Sequence, residues 1–326
     1  MYKIRLLNKQ ILRIVFVGLA GVIAGVFISS NDSRKVKDER PLVSYMVLSP
    51  EIPSSLSFAG EQIDLTRQHV REAFDRELCA FTYLHATTLL LFKRANRYFP
   101  VIEPILKKYG IPDDFKYLAV IESYLDVRVS SPVHAVGMWQ FMEATGKEFG
   151  LVITPTVDER CHVEKATIAA CNYLRKAYGR YGNWVSVAAS YNAGMGRITS
   201  ELSNQAVNNA IDLWLVDETT RYPYRIMAIK QIFENPYRYG FVLKAGILYK
   251  PIKTKGMSVS TDINLIAFAR QNGITYAELR RLNPWLRSTK LITNGKTHIL
   301  LLPENMEELY YRRPNTFVHD SRWVVN

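Results

Sequence analysis

The chain has 326 residues and a mass of 37.4 kDa, more than the roughly 250 residues at which a single hydrophobic core stops growing, so two folded units are expected. With 48% hydrophobic and 22% charged residues, the composition excludes an intrinsically disordered protein. The net charge of +12 favours polyanionic neighbours, yet Lys and Arg are spread evenly and form no nucleic-acid motif, so no nucleic-acid partner is expected.

At the N-terminus, Lys3, Arg5, Lys9 and Arg13 precede an uncharged apolar run from Ile14 to Ile28, the pattern of an export signal. Counting from Ile11 to Ser30 gives nearly the ~20 residues that a bilayer requires, with Arg13 snorkelling, so 1–30 reads as a signal segment or membrane anchor. No A-x-A-like cleavage site follows it, and whether it is removed stays open. Either way the basic flank is expected to stay in the cytoplasm and the remainder to lie across the membrane from it. Residues 31–60 are polar and punctuated by Pro41, Pro50 and Pro53, and read as a linker.

From 61 to about 250 the pattern is helical. Val70, Phe74, Leu78, Phe81 and Leu84 recur at helical spacing, and Pro100, Gly110 and Pro112 are expected to separate successive helices. After Pro112, Asp113 is a candidate N-cap, and Phe115, Leu118, Ala119 and Glu122 share one helical face. Further helices are expected over 139–149, closed by Gly150, and over 163–178 and 184–193. Near Gly256 the texture changes to strand (258–260), helix (262–272), helix (276–282) and strand (298–302), a module over 256–304. The tail 305–326 carries no readable pattern. The fold class is therefore mainly α, with a small α+β C-terminal module.

Three cysteines, Cys79, Cys161 and Cys171, are too few for a disulfide framework. Cys161, His162 and Cys171 lack a C-x-x-C pair or a fourth ligand, so neither a metal nor another cofactor is expected. Glu122 is the unusual residue. A carboxylate on an apolar stripe near a helix C-terminus loses solvation and faces the negative end of the helix dipole. Both effects raise its pKa, as a general acid requires. The plainer alternative is a glutamate that caps a helix or pairs with an arginine.

Around it the motifs accumulate in order: Glu122-Ser123, a Ser-Ser-Pro turn, Gly137-Met138-Trp139-Gln140-Phe141, Val157-Asp158-Glu159-Arg160, Tyr191-Asn192-Ala193-Gly194, Glu218-Thr219 with Tyr222, and Asn235-Pro236-x-Arg238-Tyr239-Gly240. Together they resemble the lytic transglycosylase (SLT) domain of the lysozyme-like superfamily, particularly the membrane-bound lytic murein transglycosylase D group. The resemblance implies a lysozyme-like α-helical catalytic domain acting on the glycan strands of peptidoglycan. It makes Glu122 the catalytic acid/base and Ser123 its hydrogen-bonding neighbour. It places Gly137, Met138, Trp139 and Gln140 in the glycan-lining wall, and completes the cleft with Tyr191, Asn192 and Tyr222. Read singly, Trp139 and Tyr191 are equally core aromatics, Asn192 a helix C-cap and Gln140 a solvated side chain. The sequence departs from the family pattern at Val133-His134, Ser190, Met195 and Pro223.

The C-terminal module resembles a degenerate LysM carbohydrate-binding domain through Met257-Ser258-Val259-Ser260, Glu278-Leu279, Leu282-Asn283-Pro284 and Leu302-Pro303. A glycosidase ordinarily uses two carboxylates, and Asp126 is the nearest candidate partner for Glu122. The family resemblance implies substrate assistance instead: cleavage of the bond between N-acetylmuramic acid (MurNAc) and N-acetylglucosamine (GlcNAc), with closure of a 1,6-anhydro ring. A lysozyme-type hydrolase and a non-catalytic wall-binding protein are the competing readings. The sequence leaves the oligomeric state open.

Overall fold

The computed structural model describes residues 47–312 and 314–325; the apolar segment expected at 14–28 lies outside them. No helix among the described residues is long and apolar enough to cross a membrane.

The first ordered element is a hairpin, β1 (Leu56–Phe58) against β2 (Glu61–Ile63), with Phe58 opposite Glu61. Its two-residue turn needs positive φ at both positions, which Ala59 (53°) and Gly60 (84°) supply. Leu56, Phe58 and Ile63 are buried in the main core, so the linker expected through residue 60 gives way to folded structure before it.

Helices α1 (Gln68–Tyr83) and α2 (His85–Lys108) follow. The break between them falls at Leu84, whereas Pro100, expected to end a helix, lies inside α2 together with Pro104. Each proline removes one main-chain hydrogen bond. Burial of Leu91, Phe92, Ala95, Phe99, Ile102 and Leu106 along a single face holds the helix continuous across both. The next helix, α3 (Lys116–Ser123), is preceded by a 3-10 turn at Asp113–Phe115. Asp113 does not cap it: its carboxylate takes the Lys116 ammonium at 2.5 Å instead. The buried Lys116 also reaches Glu103 at 2.7 Å.

The helix expected over 139–149 is shorter, α4 (Glu143–Glu148), and Gly150 at φ +92° follows it as expected. Trp139 instead sits in a turn, with positive φ at Gly137 and Gln140 on either side. Helices α5 (Val163–Tyr181) and α6 (Trp184–Ala193) match their expected ranges closely. Asn183 caps α6 by accepting from the Ser186 amide at 2.9 Å. Then come α7 (Met195–Asn204) and α8 (Asp217–Glu234). The last is mostly buried and packs against α1, α3 and α6, forming the axis of the domain.

The tail folds back onto this axis. Trp323 is 3% exposed, lies edge-on to Phe233 (5.4 Å) and Phe92 (5.5 Å), and donates its indole N–H to the Phe233 carbonyl at 3.0 Å. His319 meets Glu103 at 2.9 Å, and Val324 bridges Leu243 in parallel. No strand or helix periodicity marks such a segment, because its contacts are made residue by residue. Trp323→Ala is expected to destabilise the protein by about 3–5 kcal/mol through the cavity it leaves. The denaturation midpoint in guanidinium measures this.

The C-terminal module is built on β3 (Thr254–Val259) paired antiparallel with β6 (His298–Pro303), Val259 opposite His298. Between them lie β4 (Ile263–Asn264), α9 (Leu265–Gln271), α10 (Tyr276–Leu282) and β5 (Lys290–Leu291). Thr275 and Glu278 form a capping box at the start of α10. The strand-helix-helix-strand order is as expected; the short β4–β5 pair is additional. Main-chain hydrogen bonds join module and helical domain: the Asp158 amide to Trp285 O at 2.8 Å and the Arg287 amide to Thr156 O at 2.9 Å.

Candidate active site

Glu122 is the penultimate residue of α3, whose last turn ends because Tyr124 and Leu125 adopt left-handed conformations (φ 52° and 55°). The helix is buried on nearly every side, so Glu122 is the one partly exposed residue among apolar neighbours. Burial pushes its carboxyl pKa up to about 7. A hydrogen bond from the Tyr222 hydroxyl and the charge of Arg225 pull the value down, and the charge of Glu218 raises it. At neutral pH the group is therefore poised between its two states, which suits both donation and removal of a proton.

Tyr222 reaches Glu122 from α8, across a separation of 100 residues. Burial and the neighbouring Glu122 charge hold its phenol well above the usual tyrosine range, so it remains a neutral donor. Tyr191, on α6, is likewise shifted upward by burial and by Glu122. Its hydroxyl donates to the Trp139 carbonyl at 2.8 Å, tying α6 to the 137–140 turn. Asn192 accepts from Thr219 Oγ1 at 2.9 Å, which binds the end of α6 to α8 one turn before Tyr222.

The remaining expected residues divide. Gly137 is structurally obligatory: its φ is +83°, and a Cβ there would stand 2.0 Å from the Arg160 carbonyl oxygen. Gln140 is partly exposed and donates back to Gly137 O at 2.8 Å. Met138 (1% exposed) and Trp139 (0%) turn their side chains into the core. The Trp139 indole N–H is taken by Thr167 Oγ1 at 2.9 Å, so these two shape the turn from beneath and offer no side chain to a cleft. Ser123 is also buried, its hydroxyl donating to Ala119 O at 3.1 Å within its own helix.

Asp126 is committed elsewhere. One of its oxygens meets Arg94 Nη2 at 3.2 Å and the other accepts from the Arg128 amide at 3.0 Å. The second carboxylate whose field reaches Glu122 is Glu218. The departures from the family pattern leave the acid untouched: His134 is exposed at φ +63°, and Ser190 is fully buried with its hydroxyl on Val187 O at 2.8 Å. Among the described residues no group of three or more His, Cys, Asp or Glu could hold a metal ion.

Sequence reasoning overlooked Arg225 and quoted Glu218 as a motif residue without giving it a role. They flank Tyr222 at +3 and −4 on one helical face, a signal available once α8 is read as a helix, but Pro223 obscures it. It also gave no role to Arg160, which is 5% exposed and pairs with Asp158 at 2.8 Å. Its free Nη1 donates to the carbonyls of His134 and Phe141, both at 3.1 Å, and so closes the 134–141 loop.

An acid on a short buried helix, a tyrosine donor from the axial helix and a glycine-dependent turn thus come together in one site. Residues 100–213 match the family described as Transglycosylase SLT domain, and residues 255–306 match the soluble lytic transglycosylase C-terminal LysM-like domain. The chain is 27% identical over 261 residues to membrane-bound lytic murein transglycosylase D of Escherichia coli, covering 78% of this chain and 56% of that protein. It thus spans a little over half the length of this curated relative. Among solved structures, the 70 kDa soluble lytic transglycosylase of Escherichia coli aligns with a TM-score of 0.40 at 24% identity, covering 52% of this chain and 30% of that one. An inactive mutant of lytic transglycosylase Slt from Pseudomonas aeruginosa aligns at 0.34 and 20%, covering 42% and 24%.

Proposed function

We propose that the protein is a peptidoglycan lytic transglycosylase with Glu122 as its single general acid/base. The observation that carries this reading is a carboxyl group pushed up to about 7 by burial and held by Tyr222, inside a matched SLT domain. Glu122 donates its proton to the oxygen linking MurNAc to GlcNAc, and the C–O bond breaks heterolytically. The acetamido oxygen of the same MurNAc stabilises the electron-poor anomeric carbon. Glu122, now a carboxylate, takes the proton from the 6-hydroxyl as that oxygen closes on the anomeric carbon, giving a 1,6-anhydro end and a restored acid. The step consumes no water.

Tyr222 is assigned to hold the carboxyl in place, Tyr191 and Asn192 to build the adjoining wall, and Gly137 with Gln140 to present backbone to the glycan. The LysM-like module over 256–304 is assigned a peptidoglycan-facing role. The relative in Escherichia coli is named as membrane-bound, and with the basic-then-apolar N-terminus this supports a place in the cell envelope.

Digestion of purified peptidoglycan followed by mass spectrometry tests the reaction. Anhydro-MurNAc ends are expected. Reducing MurNAc ends alone would indicate a hydrolase, and intact glycan a binding protein. Tyr222→Phe removes a hydrogen bond that lowers the Glu122 pKa, so the acid stays protonated to higher pH. The alkaline limb of the pH–rate profile is expected to move upward, with the maximal rate falling about 10- to 100-fold.

A further inference from the structure

A cavity of about 460 Å³ lies where the helical domain meets the C-terminal module, lined by residues of α2, the turn after α3, the start of α5 and α10. That volume suits a ligand of a few residues or one small organic molecule. Four arginines line it: Arg94, Arg97, Arg128 and Arg281, against two acids, Asp126 and Glu164. Asp126 is held by Arg94, and Arg97 donates to the Lys250 carbonyl at 3.1 Å and lies over the Tyr249 ring. Among the described residues no side-chain hydrogen bond or ion pair occupies the guanidinium groups of Arg128 and Arg281; Arg281 has only the field of Glu278 one turn earlier. The first comes from the helical domain and the second from the module, so positive charge faces the cavity from both sides.

Two further features favour an anion. The 19-residue α5 begins on the cavity wall, and its N-cap, His162, makes no side-chain hydrogen bond to the first turn. Burial pulls the His162 pKa down to about 4, so the imidazole is neutral and the positive end of the helix dipole is answered only by Glu164 in the first turn. Trp285, also on the wall, is 2% exposed and stacked between His162 (5.9 Å) and His298 (5.7 Å). Among the described residues its indole N–H has no acceptor, a buried donor that a small shift of the ring would offer to a ligand oxygen. Between the charges the wall is apolar, with Leu125, Val127 and Ile252.

We propose that this cavity binds a short peptide carrying carboxylate groups. Cations on facing walls take two carboxylates, the apolar stretch takes small side chains, the indole N–H takes a carbonyl, and Glu164 accepts from a peptide N–H. The peptide has two possible sources: a branch on a glycan strand, which rests on the proposed function, or a free peptide, which does not.

Calorimetric titration of the full chain with the tetrapeptide Ala-Glu-Ala-Glu, and with its fully amidated counterpart carrying Gln, tests the shared chemistry. Saturable binding of the acidic peptide is expected, at least 10-fold tighter than the amidated one. Arg128→Gln and Arg281→Gln are each expected to weaken it at least 5-fold without changing the melting temperature. Equal binding of the two peptides, no binding of either, or wild-type affinity in both variants would overturn the proposal. Retention on sacculi separates the sources. Weaker retention of Arg281→Gln on intact sacculi but not on peptide-stripped glycan supports the strand-borne branch. Equal retention on both, with weakened tetrapeptide binding, supports the free peptide. Neither assay needs glycan cleavage, so their outcome is independent of whether Glu122 is the acid.

Discussion

Replacing Glu122 with Gln is expected to lower the rate of peptidoglycan digestion by about 10²–10⁴-fold, the usual contribution of a positioned acid/base, while sacculus binding persists. The substitution is nearly isosteric and keeps an acceptor for Tyr222. Stability supplies the control. Because burial raises the folded-state pKa to about 7 from the ordinary 4.5 of a glutamate, ionisation of Glu122 opposes folding. Below the unfolded value both states are protonated and the group is neutral towards stability. As pH rises through the window up to about 7, the unfolded chain releases its proton first and stability is lost. The Gln variant is therefore expected to melt no lower than the wild type at pH 8, and close to it at pH 4. Unchanged digestion by this variant would sink the assignment of Glu122; digestion lost together with a lowered melting temperature would mean a damaged fold.

The second large effect is structural and lies at Arg160. Arg160→Met removes one partner of a buried ion pair whose side chains are each 5% exposed, takes the donor from the His134 carbonyl and leaves the Phe141 carbonyl with the Val136 amide alone. Breaking such a pair from one side costs up to about 3–5 kcal/mol, because buried Asp158 then keeps only the half-exposed Arg287, at 3.5 Å, as a counter-charge. In a chain of this size that is a fall on the order of 10 °C in melting temperature, measurable by calorimetry. Digestion is expected to fall as well, since the Arg160 backbone packs against Gly137 and its side chain closes the loop leading into the 137–140 turn. A double variant, Arg160→Met with Asp158→Leu, removes the stranded charge and is expected to recover part of the stability but not the loop.

Much of this architecture is legible in the sequence because it rests on local signals. The ranges of α6 and α10 follow from apolar spacing and from the capping residues Asn183 and Thr275. Glu122 stands out for the same reason, as a carboxylate on an otherwise buried stripe. What escaped is held by distant contacts. The persistence of α2 through Pro100 and Pro104 depends on neighbours elsewhere in the chain, and helix propensity argues against it. Trp139 looks helical or cleft-lining until Thr167 claims its N–H and Tyr191 its carbonyl. Arg160 carries no periodicity, and its function is set by carbonyls 19 and 26 residues away.

The closing contacts of the tail have a topological consequence. Leu243 leaves the helical domain just before the module begins at Thr254, and Val324 returns to pair with it, while Trp323 plugs the core behind Phe92 and Phe233. The LysM-like unit is therefore spliced into the helical domain as an insert with both stalks anchored side by side, and it does not dangle from one end. A unit tethered twice cannot swivel as a bead on a string would, so the module keeps a fixed bearing towards the helical domain. Synthesis imposes an order too: the helical domain cannot seal until the ribosome has released residues about ninety positions beyond the last of its long helices.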